Sequence, residues 1–113
     1  MKNELQPKEK VYIAGPITND PDYKEKFDAV EKLLNSLGFQ AINPIAGGEK
    51  RVGWTYKEYI DRGLKLLMIC DKICVIEGQN VKSHGLDLER KYAKTVGIPR
   101  IDAYKTASGW LIG

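Results

Sequence analysis

The residues best placed to do chemistry are Glu89 and the short run ahead of it, Lys82-Ser83-His84-Gly85. Counted along a helix, Gly85, Glu89, Tyr92 and Val96 fall on one stripe. Tyr92 and Val96, with neighbouring Leu86 and Ala93, make that stripe the buried one. Glu89 then faces inward about one and a half turns into the helix. Burying a carboxylate is costly without partners. Such a glutamate either reaches an arginine or a helix cap, or is held at the floor of a cleft as a nucleophile or base. Ser83 at the helix start, followed by free backbone N–H groups, makes an anion site for a phosphate or a sugar oxygen, and Lys82 adds a positive charge beside it. The alternative for Ser83 is an ordinary N-cap.

A second candidate is Gly15-Pro16-Ile17-Thr18. Gly15 permits a ligand to approach the backbone closely. No Gly-Lys-Ser/Thr follows, so this is not a P-loop, and a single glycine is not a dinucleotide fingerprint. A response regulator needs acidic residues at the end of its first strand, where this chain has Ala14-Gly15. Cys70 and Cys74 have a weak metal-pair spacing, but no second pair exists and the only histidine is His84. They read as two buried free thiols.

These residues need a scaffold. Residues 11–15, VYIAG, form an apolar run closed by Gly15-Pro16, which reads as a buried strand and a turn. Asn19-Asp20-Pro21 reads as a helix start. Phe27, Val30, Leu33, Leu34 and Leu37 follow at helical spacing, and Gly38 ends the helix. Residues 39–43 form a second strand candidate, ended by Pro44. Thr55-x-x-Glu58 is a capping box that opens a second helix carrying Tyr59, Ile60, Leu64, Leu67 and Met68. Residues 72–76 form a third strand, Ser83 to Gly97 a third helix, and 98–101 a fourth strand with Pro99 at its start or at a sheet margin. The tail, residues 109–112, is a fifth strand or a docking patch.

Alternating strands and helices imply an α/β domain with a parallel sheet and helices on both faces. Ligands of such sheets bind beyond the carboxyl ends of the strands, where strand order reverses. The loops there are the chain's richest in Gly and Pro.

The chain has 113 residues, enough for one domain, with residues 1–9 as a flexible lead-in. It is 42% hydrophobic and 29% charged, which argues against a disordered, collagenous or membrane protein. No apolar run approaches a membrane span, and the polar N-terminus has no secretory core, so the expectation is a cytoplasmic protein. The net charge is +3, with Lys and Glu interspersed. That does not suit a dedicated duplex-DNA reader but is compatible with a small anionic substrate.

Taken together, VYIAGPIT, Asn43-Pro44, Cys70-Asp71 and Ser83-x-Gly85-x-x-x-Glu89 resemble the nucleoside 2-deoxyribosyltransferase superfamily. The pattern is most like a phage- and prophage-associated family of unknown function within it, and is also similar to the deoxynucleoside 5′-monophosphate N-glycosidases. It runs from about Val11 to Ile101.

The resemblance implies a flavodoxin-like three-layer sandwich with four or five parallel strands in the order 2-1-3-4(-5). It implies cleavage of the N-glycosidic bond of a 2′-deoxynucleoside or its 5′-monophosphate, by hydrolysis first and by transfer second. Glu89 matches the family's nucleophile and Tyr12 a tyrosine near it. Gly15, Pro16 and Ile17 match the turn that borders the nucleobase, and Asn43 and Gly85 belong to the same binding set. Ser83, with Lys82, matches a serine that contacts the 5′-phosphate in the monophosphate hydrolases. The mechanism needs only carboxylates, so no cofactor or metal is implied. Family sites are completed by a neighbouring subunit, so a homo-oligomer is expected.

One departure stands out. The family carries a second acid eight residues before the aspartate matching Asp71, and this chain has Gly63 there. Asp61, the nearest acid on that helix, is the candidate to take over its catalytic role, although it lies roughly 200° away and reaches the site only if the helix start is distorted. The rival reading is therefore a non-catalytic nucleotide-binding protein of the same fold.

Overall fold

The computed structural model describes residues 8–16, 21–45, 56–76 and 84–113. The elements run β1 (Lys10–Ala14), α1 (Tyr23–Ser36), β2 (Gln40–Ile42), α2 (Tyr56–Met68), β3 (Lys72–Ile76), α3 (His84–Val96), β4 (Arg100–Thr106) and β5 (Gly109–Ile112). The five strands form one sheet in the order β2-β1-β3-β4-β5. β1 pairs in parallel with β2 and β3, and β3 in parallel with β4.

The fifth strand departs from the parallel expectation: β5 pairs antiparallel with β4, Thr106 opposite Gly109. The reason is connection length. Only Ala107 and Ser108 lie between the strands, and two residues can close a hairpin but not a parallel crossover. Gly109 holds φ +129 at the exit, a conformation L side chains rarely adopt.

Side-chain alternation along the strands divides the core in two. Val11, Ile13, Cys74, Ile76 and Ala103 point to the face covered by Phe27, Val30 and Leu34 of α1. Tyr12, Ala14, Ile73 and Val75 point to the other face, under Leu67 of α2 and Ala93 of α3. Trp110 and Ile112 of β5 pack on the α1 side, so the tail is both strand and docking patch.

Several boundaries differ from the sequence expectation. α1 starts at Tyr23 with Asp22 as N-cap, not at Pro21. Tyr23 is the first of its residues to pack on the core, and packing anchors the first turn. Gly38 ends α1 as expected, at φ +95, but Leu37 is exposed at its C-cap. β4 begins after Pro99, whose carbonyl accepts from Ile73 N–H at 3.0 Å. It then runs to Thr106 because β5 covers its far side.

Met68 and Val96 were placed on buried stripes but are 62% and 51% exposed. Met68 shares the solvent stripe of Asp61 and Lys65, and Val96 is the last residue of its helix. No described helix is long and apolar enough to cross a membrane.

Candidate active site

β1 lies between β2 and β3. The chain therefore leaves β1 toward β2 by α1 on one face and returns to β3 by α2 on the other. This reversal of strand order is where an open α/β sheet offers a cleft, beyond the carboxyl end of β1. Ile17, which follows β1 in sequence, and Lys82 and Ser83, which follow β3, lie outside the described residues.

At the centre of the sheet, Tyr12 points to the α2–α3 face. Its ring is packed among Ala14, Leu67, Cys70, Ile73, Val75 and Ala93, and only 1% of its surface is exposed. Its hydroxyl donates to Glu89 Oε2, joining residues 77 apart in sequence. Leu86, Glu89 and Ala93 form the inward line of α3, with Tyr92 at its margin. The helical phase of Glu89 thus has the consequence expected of it: the carboxyl is half-buried, against β1, with a polar partner.

The electrostatics follow from that position. Burial raises the Glu89 carboxyl from 4.5 to about 7, against the opposing pull of the Tyr12 hydrogen bond. Burial first, and then the Glu89 charge and hydrogen bond, hold Tyr12 well above its ordinary value. Tyr12 is therefore a neutral donor throughout the neutral range. Glu89 therefore changes charge close to neutrality. Tyr12 holds Glu89 Oε2, and among the described residues Oε1 carries no hydrogen bond.

Gly63 lies directly beside this pair. A Cβ built on it falls 2.9 Å from Glu89 Oε2 and 2.9 Å from Tyr12 Oη. Position 63 thus borders the pair and carries no side chain. Asp61 is exposed with Lys65 and Met68 on the opposite side of α2, so the structure does not bring it to Glu89.

Gly15 and Pro16 are both buried at the end of β1. A Cβ on Gly15 falls 3.1 Å from Ile76 Cβ and 3.3 Å from Phe27 Cε1. The glycine therefore serves the packing of the α1 face whatever it does for a ligand. Gly85 lies in the first turn of α3.

Asn43 is 7% exposed and its groups are engaged by the protein. Its Nδ2 donates to Glu31 Oε1 at 3.0 Å and Asp28 Oδ1 at 3.4 Å, and its Oδ1 accepts from Ile45 N–H at 3.0 Å. It ties the turn after β2 to α1, which makes it a structural residue rather than a ready ligand contact. Asp71 is structural too: it receives Lys10 N–H at 2.8 Å and returns its own N–H to Lys10 O at 2.8 Å.

Sequence reasoning missed Arg62. Its Nη1 donates to Pro44 O at 2.6 Å, which ties α2 to the turn at the carboxyl end of β2. Its charge is close enough to draw the Tyr12 pKa slightly back down.

Cys70 and Cys74 are free, buried thiols that pack on different faces of the sheet. Burial pushes them up to about 11 and about 12, so both stay protonated. Among the described residues no three His, Cys, Asp or Glu gather as metal ligands.

The mostly parallel sheet in the order β2-β1-β3-β4-β5, with helices on both faces, is an α/β fold like that of a deoxyribosyltransferase. The 2-deoxyribosyltransferase of the psychrotolerant bacterium Bacillus psychrosaccharolyticus, described as a biocatalyst for nucleoside synthesis, has a similar fold. Its TM-score is 0.67 at 22% identity, over 87% of this chain and 74% of that one. A conserved protein from Enterococcus faecalis V583 matches with TM-score 0.68 at 18% identity, over 88% of this chain and 65% of that one. The chain belongs to the family described as a domain of unknown function, DUF4406, which it matches over residues 9–102. No curated protein matches it in sequence.

Proposed function

We propose that this protein cleaves the N-glycosidic bond of a 2′-deoxynucleoside 5′-monophosphate, with Glu89 as the nucleophile. The observation that carries the reading is the Tyr12–Glu89 pair: a half-buried carboxyl, one oxygen held by a neutral phenol, between β1 and the α2–α3 layer. The likeness in fold to a 2-deoxyribosyltransferase supports it.

In the first step the ionised Glu89 attacks C1′ through Oε1 and forms a glycosyl ester. The C1′–N bond breaks, its electron pair leaves with the base, and the base takes up a proton. In the second step water adds at C1′ and the ester bond breaks. The hydroxyl stays on the sugar and the proton is released, returning the carboxylate. If another base replaces water, the outcome is transfer. Two displacements through one covalent intermediate are the logic of retaining glycosidases. The phosphate preference rests on Ser83 and Lys82. The working unit is a cytoplasmic homo-oligomer of a single-domain chain.

The test is base release from a panel of deoxynucleosides and their 5′-monophosphates, with mass spectrometry for a sugar ester on Glu89. The expected result is free base, faster from the monophosphates, and an adduct on Glu89 that Glu89→Gln lacks. Gly63 favours a second reading, a nucleotide-binding protein without catalysis. Tight binding with no base released from any substrate would establish that instead.

A further inference from the structure

Gly63 stands in the interior of α2, where glycine is the poorest helix former after proline. Its φ is not in the left-handed region, so backbone freedom is not the reason for it. The reason is one contact. The Cβ it lacks would meet Glu89 Oε2 and Tyr12 Oη, each at 2.9 Å, and the next nearest heavy atom is Glu89 Cδ at 4.0 Å. Among the described residues no other side chain crowds the position.

We propose that Gly63 is a positioning residue: its missing side chain lets α2 close on the Tyr12–Glu89 pair, and this closure fixes which carboxylate oxygen is held and which is free to react. The consequence for catalysis rests on the reading of Glu89 as the reacting carboxylate; the contact does not.

The two partners of the pair differ in how they can yield. Tyr12 is a ring locked in the core, 1% exposed, with Leu67, Ile73 and Ala93 around it. The Glu89 carboxyl is the far end of a flexible side chain. A methyl group at position 63 therefore displaces the carboxyl and leaves the phenol where it is. The hydrogen bond is lost, and with it the distinction between Oε2 and Oε1. Attack at carbon requires the reacting oxygen within about 3–3.5 Å and aligned, so a carboxylate free to rotate reacts less often. In this chain, then, the place of a second acid is used to orient the first.

The experiment combines two measurements on Gly63→Ala. The first is the 13Cζ resonance of Tyr12 in tyrosine-labelled protein, assigned with Tyr12→Phe. In the wild type it should shift as Glu89 titrates near pH 7. In folded Gly63→Ala that step should vanish, and kcat for base release should fall by roughly tenfold to a hundredfold with KM little changed. A Tyr12 signal that still follows Glu89 in Gly63→Ala overturns the proposal.

The second measurement is thermal stability, which serves even where Gly63→Ala folds poorly. In a Tyr12→Phe/Glu89→Ala background the contact is gone and alanine is the better helix former, so Gly63→Ala should raise Tm there while lowering it in the wild type. A lowered Tm in both backgrounds means that glycine is needed for something else and overturns the proposal. Absence of base release from every variant would remove Glu89 as the reacting group while both physical measurements still decide the role of Gly63.

Discussion

The two faces of the sheet are built from the same strands and do different work. The α1 face is mainly apolar: Val11, Ile13, Phe27, Val30, Leu34, Cys74, Ile76 and Ala103 close it, with the buried Asn43 tied to Asp28 and Glu31 of α1. The α2–α3 face starts from the same alternation, but at its centre stands a tyrosine hydroxyl donating to a glutamate, with a glycine where a helix would gain from alanine. Each of these choices costs stability: the raised carboxyl for its burial, the helical glycine about 1 kcal/mol. What the difference teaches is a division of labour. One face supplies the cohesion that lets the other hold a carboxyl in an unfavourable place.

The sharpest way to break the comparison is to remove the chemistry and keep the shape. Glu89→Gln should lower base release by on the order of a thousandfold or more, because an amide cannot attack carbon. Circular dichroism should show the fold intact. The sign of the pH profile separates the two roles open to a carboxyl that titrates near 7. A nucleophile must be ionised, so kcat/KM should fall about tenfold per pH unit below 7. A profile rising toward acid would make Glu89 a proton donor instead.

The α1 face answers to a different change. Leu34→Ala empties a fully buried position in that cluster. It should cost about 3 kcal/mol in denaturant unfolding. The site lies across the sheet, so the Glu89 titration near pH 7 should persist in the folded variant. If it disappears, the faces are coupled and the division of labour fails.

How much of this was legible in the sequence follows the same line. The strand–helix alternation and its order depend on local patterns of period two and 3.6, and these were readable. So was the phase of Glu89, because a helix fixes which side a residue faces. Gly63 could be singled out as a departure from the family pattern, but its contact with Tyr12 and Glu89 could not, since three elements meet there. Asn43 was expected in the binding set from the family resemblance alone; only the tertiary fold places Asp28 and Glu31 within reach of its amide. Arg62 was missed because a guanidinium reaching a carbonyl 18 residues away leaves no local trace. The antiparallel β5 overturns the parallel expectation because its direction is set by a two-residue link rather than by its own apolar pattern.

A third test weighs the two faces in one molecule. The Glu89 carboxyl titrates at about 7 in the folded protein against an ordinary 4.5. Below pH 4.5 both folded and unfolded chains hold the proton, and the group costs nothing. Between 4.5 and 7 the unfolded chain releases its proton while the folded one keeps it, so stability falls as pH rises. Above 7 the loss is complete. Relative to Glu89→Gln, the wild type should be level at pH 4 and less stable at pH 8 by on the order of 2 kcal/mol, with partial exposure allowed for. Urea titrations of both proteins at the two pH values measure it. An equal gap at both would mean that the carboxyl is hydrated and that the α2–α3 face carries no such cost.

The smallest expected effect concerns the other acid of α2. Asp61 is the one carboxylate on that helix close in sequence to Gly63, and a site lacking its second acid invites the idea that Asp61 supplies it. Helix geometry opposes this, since two residues turn the side chain roughly 200°. Asp61 accordingly sits on the exposed stripe with Lys65 and Met68, while Gly63 and Leu67 face the core. Asp61→Asn should therefore leave base release within about twofold of wild type and stability within about 0.5 kcal/mol. A loss of tenfold or more, with the Tyr12–Glu89 titration unchanged, would mean that α2 rotates on binding substrate. The inert side of that helix would then belong to the working face.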